Sequence, residues 1–253
     1  MSAGTRALLD KVRRHPWVSH WLAGGALPRR VHLLLGLIVP LWILGVNMWR
    51  VHWFTYDDAY ISFRYARNLA DGWGLVYNPG EAIEGYTNFA WTVMVAAGLK
   101  LGIDPHVTVK VAGAAAAMGT MVVVYRLTDR LAPLSAAPCV ATWLLASSST
   151  FSGYAVFGLE TIGFVFLLML GTLMMFGEVE RGRGIPWSGL VFALAGLTRP
   201  EAPLFIGIPM LLLGRGFFSR QNLLRGVLFA TPLAIHLLWR HSYYGAWTPA
   251  TLG

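Results

Sequence analysis

The sequence has one cysteine in 253 residues, and only 12 acids against 20 basic residues. A lone Cys139 in an apolar stretch makes no intrachain disulfide and no thiolate cage for a metal. Charged residues make up 13% of the chain, against about 25% in an ordinary soluble domain. No HExxH spacing links His52, His106, His236 or His241, so none is assigned a metal. The first 30 residues are basic and carry tryptophan. They lack the short apolar run and small-residue cleavage site of a signal peptide. No internal repeat is visible.

What is present is apolar. Hydrophobic residues reach 56% and the mean hydropathy is +0.55. A disordered chain needs the opposite composition. A soluble core of this size cannot hold so many apolar side chains. The fitting solvent is lipid, and the fold expected is an all-α membrane bundle. The net charge is +8, and seventeen of the 20 basic residues are Arg. They lie between apolar runs, which points to membrane topology rather than to a nucleic-acid groove.

Crossing about 30 Å of hydrocarbon takes roughly 20 residues in a helix. Candidate spans are 31–49, 107–125, 133–149, 161–176, 186–197, 202–213 and 223–239, with the fifth and sixth short. An eighth apolar stretch, 86–101, is decided by charge. Lys- and Arg-rich short loops stay in the cytoplasm. The tail residues Arg6, Lys11, Arg13, Arg14, Arg29 and Arg30 put the N-terminus inside. If 86–101 lies along the outer interface, Arg126/Arg130, Arg181/Arg183 and Arg215/Arg220/Arg225 also fall inside. The expectation is therefore about seven spans, with a cytoplasmic basic tail at 1–30 and a membrane core at 31–253. A long outer loop, 50–106, carries Asp57, Asp58, Asp71, Glu81, Glu84 and Asp104.

Within that loop, 57–72 reads as an amphipathic helix. Asp57 or Asp58 caps it and Gly72 ends it. Ala59, Phe63, Ala66 and Ala70 form one stripe; Arg64, Arg67, Asn68 and Asp71 form the other. Asn78-Pro79-Gly80-Glu81 fits a type II turn. Glu84, Tyr86 and Asn88 lead into the interfacial helix, where Tyr86, Phe89 and Trp91 suit the headgroup level.

Two readings of these residues stand side by side. Asp57 and Asp58 can simply cap a helix and favour its positive end. They can also take a proton from an acceptor hydroxyl or hold a divalent cation. Arg64 and Arg67 can snorkel to headgroups or clamp a phosphate. Arg64 is one heptad from Asp57, so both can face one pocket. Glu160 opens a span, where an acid is costly unless it has work to do. Arg199 and Glu201 can neutralise each other, or Arg199 can bind an anion in an outer cavity. Together these residues suit an anionic lipid-linked substrate, with its tail among the spans and its phosphate at the arginines.

The stretch 57–89 (DDAYISFRYARNLADGWGLVYNPGEAIEGYTNF) resembles the first outer loop of integral-membrane GT-C glycosyltransferases. It is most similar to the arabinofuranosyltransferases of mycobacterial cell-wall assembly and their bacterial relatives. Gly158-Leu159-Glu160-Thr161 and Leu197-Thr198-Arg199-Pro200-Glu201 resemble segments at matching order in that group. The resemblance covers roughly residues 31–245. It implies a polyprenyl-phosphate sugar donor and a glycan, lipid or protein acceptor outside the cytoplasmic membrane. It implies Asp57 as general base with Asp58 beside it. Arg64, Arg67, Glu84, Tyr86, Asn88, Glu160, Arg199 and Glu201 are the expected substrate-binding residues. A divalent cation is the one cofactor considered, on Asp57, Asp58 and Glu160. Members of the group run well beyond this length, so a C-terminal part is expected to be missing. Two alternatives stay open, a polyprenyl-linked sugar flippase and a truncated inactive scaffold. A flippase usually shows inverted repeats or polar residues deep in its spans, and the sequence shows neither.

Overall fold

The computed structural model describes residues 28–133, 135–211 and 214–252. Most of the basic tail expected at 1–30 lies outside that range. Among the described residues every regular element is helical. In chain order they are α1 (Arg29–Val51), α2 (Asp58–Ala70), α3 (Phe89–Lys100) and α4 (Pro105–Leu131). Then come α5 (Ala137–Ser147), α6 (Ser149–Val156), α7 (Thr161–Arg181), α8 (Ser188–Thr198), α9 (Ala202–Leu211) and α10 (Arg220–Tyr244).

Four helices, α1, α4, α7 and α10, are long and apolar enough to cross a membrane. One expected span differs from the single helix suggested by hydropathy, and the two expected to be short are so. Segment 133–149 becomes α5 and α6, divided at Ser148, whose extended backbone lets its side chain accept from Phe151 N at 3.1 Å. Segments 186–197 and 202–213 become α8 and α9, of 11 and 10 residues. Each is about 16 Å long, half of a hydrocarbon core. Arg199 separates them in extended conformation (φ −149°, ψ 130°). A residue before proline is pushed out of the helical region, and Pro200 follows it.

Contacts define two ends of the bundle. At one end His32 bridges the Tyr125 hydroxyl (2.6 Å) and Ser135 O (2.8 Å), joining α1 to α4. Arg130 pairs with Glu180, and Arg225 pairs with Glu178 at 3.0 Å. At the other end Thr55 meets His106, Tyr56 N donates to Phe157 O, and Arg199 meets Thr161. The chain passes between these ends along α1, α4, α5–α6, α7, α8 and α10. The arginine clusters that the sequence reading grouped on one side share the first end. The loop acids, Glu160 and Glu201 share the second.

Helix α3 lies toward one end of the bundle. It starts beside Glu160, where Asn88 is bonded, and returns through Ile103 to the start of α4. Both its ends therefore lie toward the acidic end.

Local chemistry shapes the long helices. Pro40 has no N–H, so the Gly36 carbonyl four residues earlier loses its helical donor. The chain widens there to a π-helical stretch, Leu34–Ile38. The Thr142 hydroxyl donates to Gly36 O at 2.6 Å, and Trp143 Nε1 donates to Leu35 O at 2.8 Å. In lipid such freed groups need partners from neighbouring helices. At Gly113 a Cβ would lie 2.0 Å from the backbone oxygen of Ala155; only glycine permits α4 and α6 to meet so closely. The arginine-rich end is closed by a buried network. Arg225 donates from Nε to Ser188 Oγ at 2.7 Å and from Nη1 to Asn222 Oδ1, while Glu178 accepts from Ser188 N at 3.0 Å.

Candidate active site

The acidic end is built on α2. Asp57 is its N-cap and accepts from Asp58 N at 3.0 Å. Ala59, Phe63 and Ala66 pack against Trp91, Val95 and Ala96 of α3 and Val109 of α4. The helix ends at Ala70, and Gly72 takes φ +88°. The apolar stripe thus docks α2 onto the bundle, which leaves Asp57 and Asp58 exposed at its start. The turn between α6 and α7 presses on the same place. Gly158 takes φ +99°, and a Cβ there would lie 3.1 Å from Ala59 Cβ. Its carbonyl accepts from Trp91 Nε1 at 3.1 Å. Glu160 follows two residues later.

A polar chain runs through the helices behind α2. Asn88 is buried and donates from Nδ2 to Ser62 Oγ and to Glu160 Oε2, both at 3.0 Å. Its carbonyl oxygen accepts from Thr92 Oγ1 at 3.0 Å. Glu160 lies 3.6 Å from Arg199 Nη1, and Arg199 Nε donates to Glu201 Oε1 at 2.6 Å. The guanidinium also sits over the Phe164 ring, 5.8 Å from its centroid. Two carboxylates around one arginine leave a net charge of −1. That balance disfavours an anion at Arg199. It favours a role for Arg199 in fixing Glu160.

A second charged pair lies nearby. Glu84 is 3% exposed, with Oε2 2.7 Å from Arg240 Nε. The approach is a meeting of charges without hydrogen-bond alignment, so both Glu84 oxygens lack a donor among the described residues. Burial pushes the Glu84 carboxyl above its ordinary pKa, and the Arg240 charge offsets this only in part. Tyr86 is also raised, mainly by burial; its hydroxyl lies 3.3 Å from that of Tyr244. Arg240 Nη2 lies 3.2 Å from His236 Nε2. Both side chains line a pocket of about 190 Å³ with Thr87, Pro200, Leu233 and Leu237. Its wall is mostly apolar, and its charge is at the acidic end.

Several expectations change in detail. Arg64 and Asp57 do not share a pocket: Arg64 Nε donates to Tyr77 O at 3.1 Å, and its guanidinium lies over the Tyr77 ring. Arg67 is exposed. Asn68, expected on the polar face, is buried and donates to Val76 O and Tyr77 O, both at 2.8 Å. Asn88 spends its amide on Ser62, Thr92 and Glu160. Among the described residues, no three His, Cys, Asp or Glu side chains gather as a metal-binding group. Sequence reasoning missed Arg240 and His236. The available signal was a basic residue at the end of the last span opposite to the other arginine clusters.

Comparison with known proteins gives one relative. The chain is 31% identical over 242 residues to a terminal β-(1→2)-arabinofuranosyltransferase of Mycobacterium tuberculosis. The alignment covers 88% of this chain and 38% of that protein. No family model matches the chain, and no solved structure matches it.

Proposed function

Because the chain is a relative of that mycobacterial arabinofuranosyltransferase, we propose that it is a membrane glycosyltransferase of cell-envelope arabinan assembly. The donor in this reading is a polyprenyl-phosphate sugar, and transfer takes place on the outer face of the cytoplasmic membrane. Orientation follows the positive-inside rule, with the arginine-rich end in the cytoplasm.

The observation that carries the reading is a juxtaposition at one end of the bundle. An exposed carboxylate pair, Asp57 and Asp58, shares that end with an apolar pocket bearing Arg240. The pocket suits the first units of a lipid tail, and Arg240, held by Glu84 through Nε, turns its Nη atoms to the pocket side, where His236 lies. Arg67, on the exposed face of α2, is a further cation for the donor phosphate. Asp57 takes the proton of an acceptor hydroxyl as that oxygen attacks the anomeric carbon. The anomeric C–O bond to phosphate breaks, and polyprenyl phosphate leaves with the bonding pair. One such displacement inverts the anomeric centre. Glu160 is held by Asn88 and Arg199 and orients groups around the reacting sugar. Lipid phosphate is already a good leaving group, so positioning supplies much of the rate.

The test is transfer by the purified chain in lipid, from polyprenyl-phosphate arabinose to an arabinan acceptor. Asp57→Asn is expected to lower turnover by about 10²–10⁴-fold with donor binding retained. Unchanged turnover in that variant removes Asp57 as base. Saturable donor binding without transfer by the wild-type chain refutes the proposal that this segment alone is the catalyst.

A further inference from the structure

A second cleft opens on the other side of α2, and nothing in the reaction above uses it. It holds about 340 Å³ and is lined by Ile61, Tyr65, Tyr77, Asn78, Glu81 and Ile83. That volume is at the lower end of small-molecule sites, about 300–1,000 Å³. Resting on the reading of Asp57 as the base, we propose that this cleft is the acceptor subsite and holds one neutral sugar residue of a glycan.

The walls combine two chemistries. Ile61, Tyr77 and Ile83 are 40%, 45% and 55% exposed; the Tyr77 ring is held by the Tyr65 ring, centroids 5.7 Å apart, and by the Arg64 guanidinium, and keeps its remaining surface open. Beside the Tyr77 ring, Asn78 Nδ2 donates to Glu81 Oε2 at 3.0 Å. A sugar ring has an apolar C–H face and an edge of hydroxyls. An aromatic face meets the first, and a planar amide with a carboxylate meets the second. Glu81 disfavours an anionic ligand, and the polar pair disfavours a lipid tail.

The cleft is held in shape. Asn78–Glu81 forms a turn closed by Glu81 N to Asn78 O at 3.1 Å, with Gly80 at φ +92°. The Tyr77 carbonyl accepts from both Arg64 and Asn68. The Tyr65 hydroxyl donates to Ile83 O at 2.9 Å and accepts from Gly85 N at 2.8 Å. A pre-formed wall loses little freedom on binding.

Register links the cleft to the base. Ile61 lies four residues after Asp57 and three after Asp58, so the cleft wall is one turn of α2 from the carboxylates, about 5.4 Å along the axis. A sugar seated on Ile61 and Tyr77 brings a hydroxyl, its own or that of the neighbouring residue, toward Asp57.

The experiment is calorimetric titration of the full chain, in discs of neutral lipid, with a linear arabinofuranose trisaccharide. Saturable binding is expected. Tyr77→Ala is expected to weaken it about tenfold, and Tyr77→Phe to keep it, since the ring carries the contact. Glu81→Gln is expected to weaken it by a smaller factor. No saturable binding to the wild type overturns the inference. So does equal binding by wild type, Tyr77→Ala and Glu81→Gln. If Tyr77→Ala instead reduces association with anionic vesicles and leaves trisaccharide binding alone, the cleft is a membrane contact and the inference falls. Binding at the cleft without transfer from polyprenyl-phosphate arabinose keeps the sugar subsite and overturns the reaction proposed above.

Discussion

Asn88 holds α2, α3 and the start of α7 together through one amide, so removing it tests the candidate site at its joint. Asn88→Ala leaves three groups short of a partner: the hydroxyls of Ser62 and Thr92, and Glu160 Oε2. Ser62 is 5% exposed and Thr92 is 0% exposed, so water does not readily replace the amide. A buried group left unsatisfied costs about 1–3 kcal/mol, more for a charged one. Thr92 and Ser62 can rotate toward backbone carbonyls, so a total near 3 kcal/mol is the working figure. For a chain of this size each kcal/mol lowers Tm by about 2–4 °C. The expected loss is therefore about 6–12 °C, read by thermal unfolding of the purified chain in detergent. Transfer should fall as well, because Glu160 keeps only Arg199 and loses its fixed orientation. Asn88→Asp keeps the shape but sets a second carboxylate beside Glu160, so it should be no less damaging. A Tm within about 2 °C of wild type for Asn88→Ala, with unchanged kcat and KM, refutes the network as a support for the site.

Other outcomes follow from the two charged pairs. Arg225→Met strands Glu178, itself 2% exposed, and should cost about 3–5 kcal/mol. The double variant Glu178→Gln/Arg225→Met should recover part of that loss, and a double-variant Tm lowered by the sum of the two single losses argues against coupling. Glu84 gives a pH signature. Burial raises its pKa, so the folded chain holds the proton more tightly than the unfolded chain does. Its stability contribution is greatest below the ordinary carboxylate value of 4.5 and is lost as pH rises through the raised value. Glu84→Gln has no proton to lose there. Its Tm should change less than that of wild type as pH rises from below the ordinary carboxylate value of 4.5, and parallel profiles refute this.

The lining of α2 was legible because the helix needs only local rules. An acid caps it, glycine ends it, and Ala59, Phe63 and Ala66 recur at helical spacing, so its buried stripe follows from period alone. The same rules misplaced Asn68. Its spacing puts it beside Arg64 and Arg67, but the loop 75–77 folds back and takes its amide with two carbonyls. Hydropathy separated 186–197 from 202–213 on either side of Arg199, but it missed the break at Ser148, which comes from a capping side chain.

Composition and charge determined the solvent of this protein, its helical class and the gathering of acids at one end. Those are sums over residues, or patterns within one helix, and no partner is needed to read them. Tertiary structure alone decided which charges are committed and which remain available. Arg199 could pair with Glu201 or bind an anion until Glu160 joined Glu201 around it, and no local pattern named Arg240, 156 residues later, as the partner of Glu84 inside the bundle. Electrostatic partnership depends on distances of a few ångströms between segments far apart in sequence. Packing of the helices sets those distances, and no local pattern encodes them.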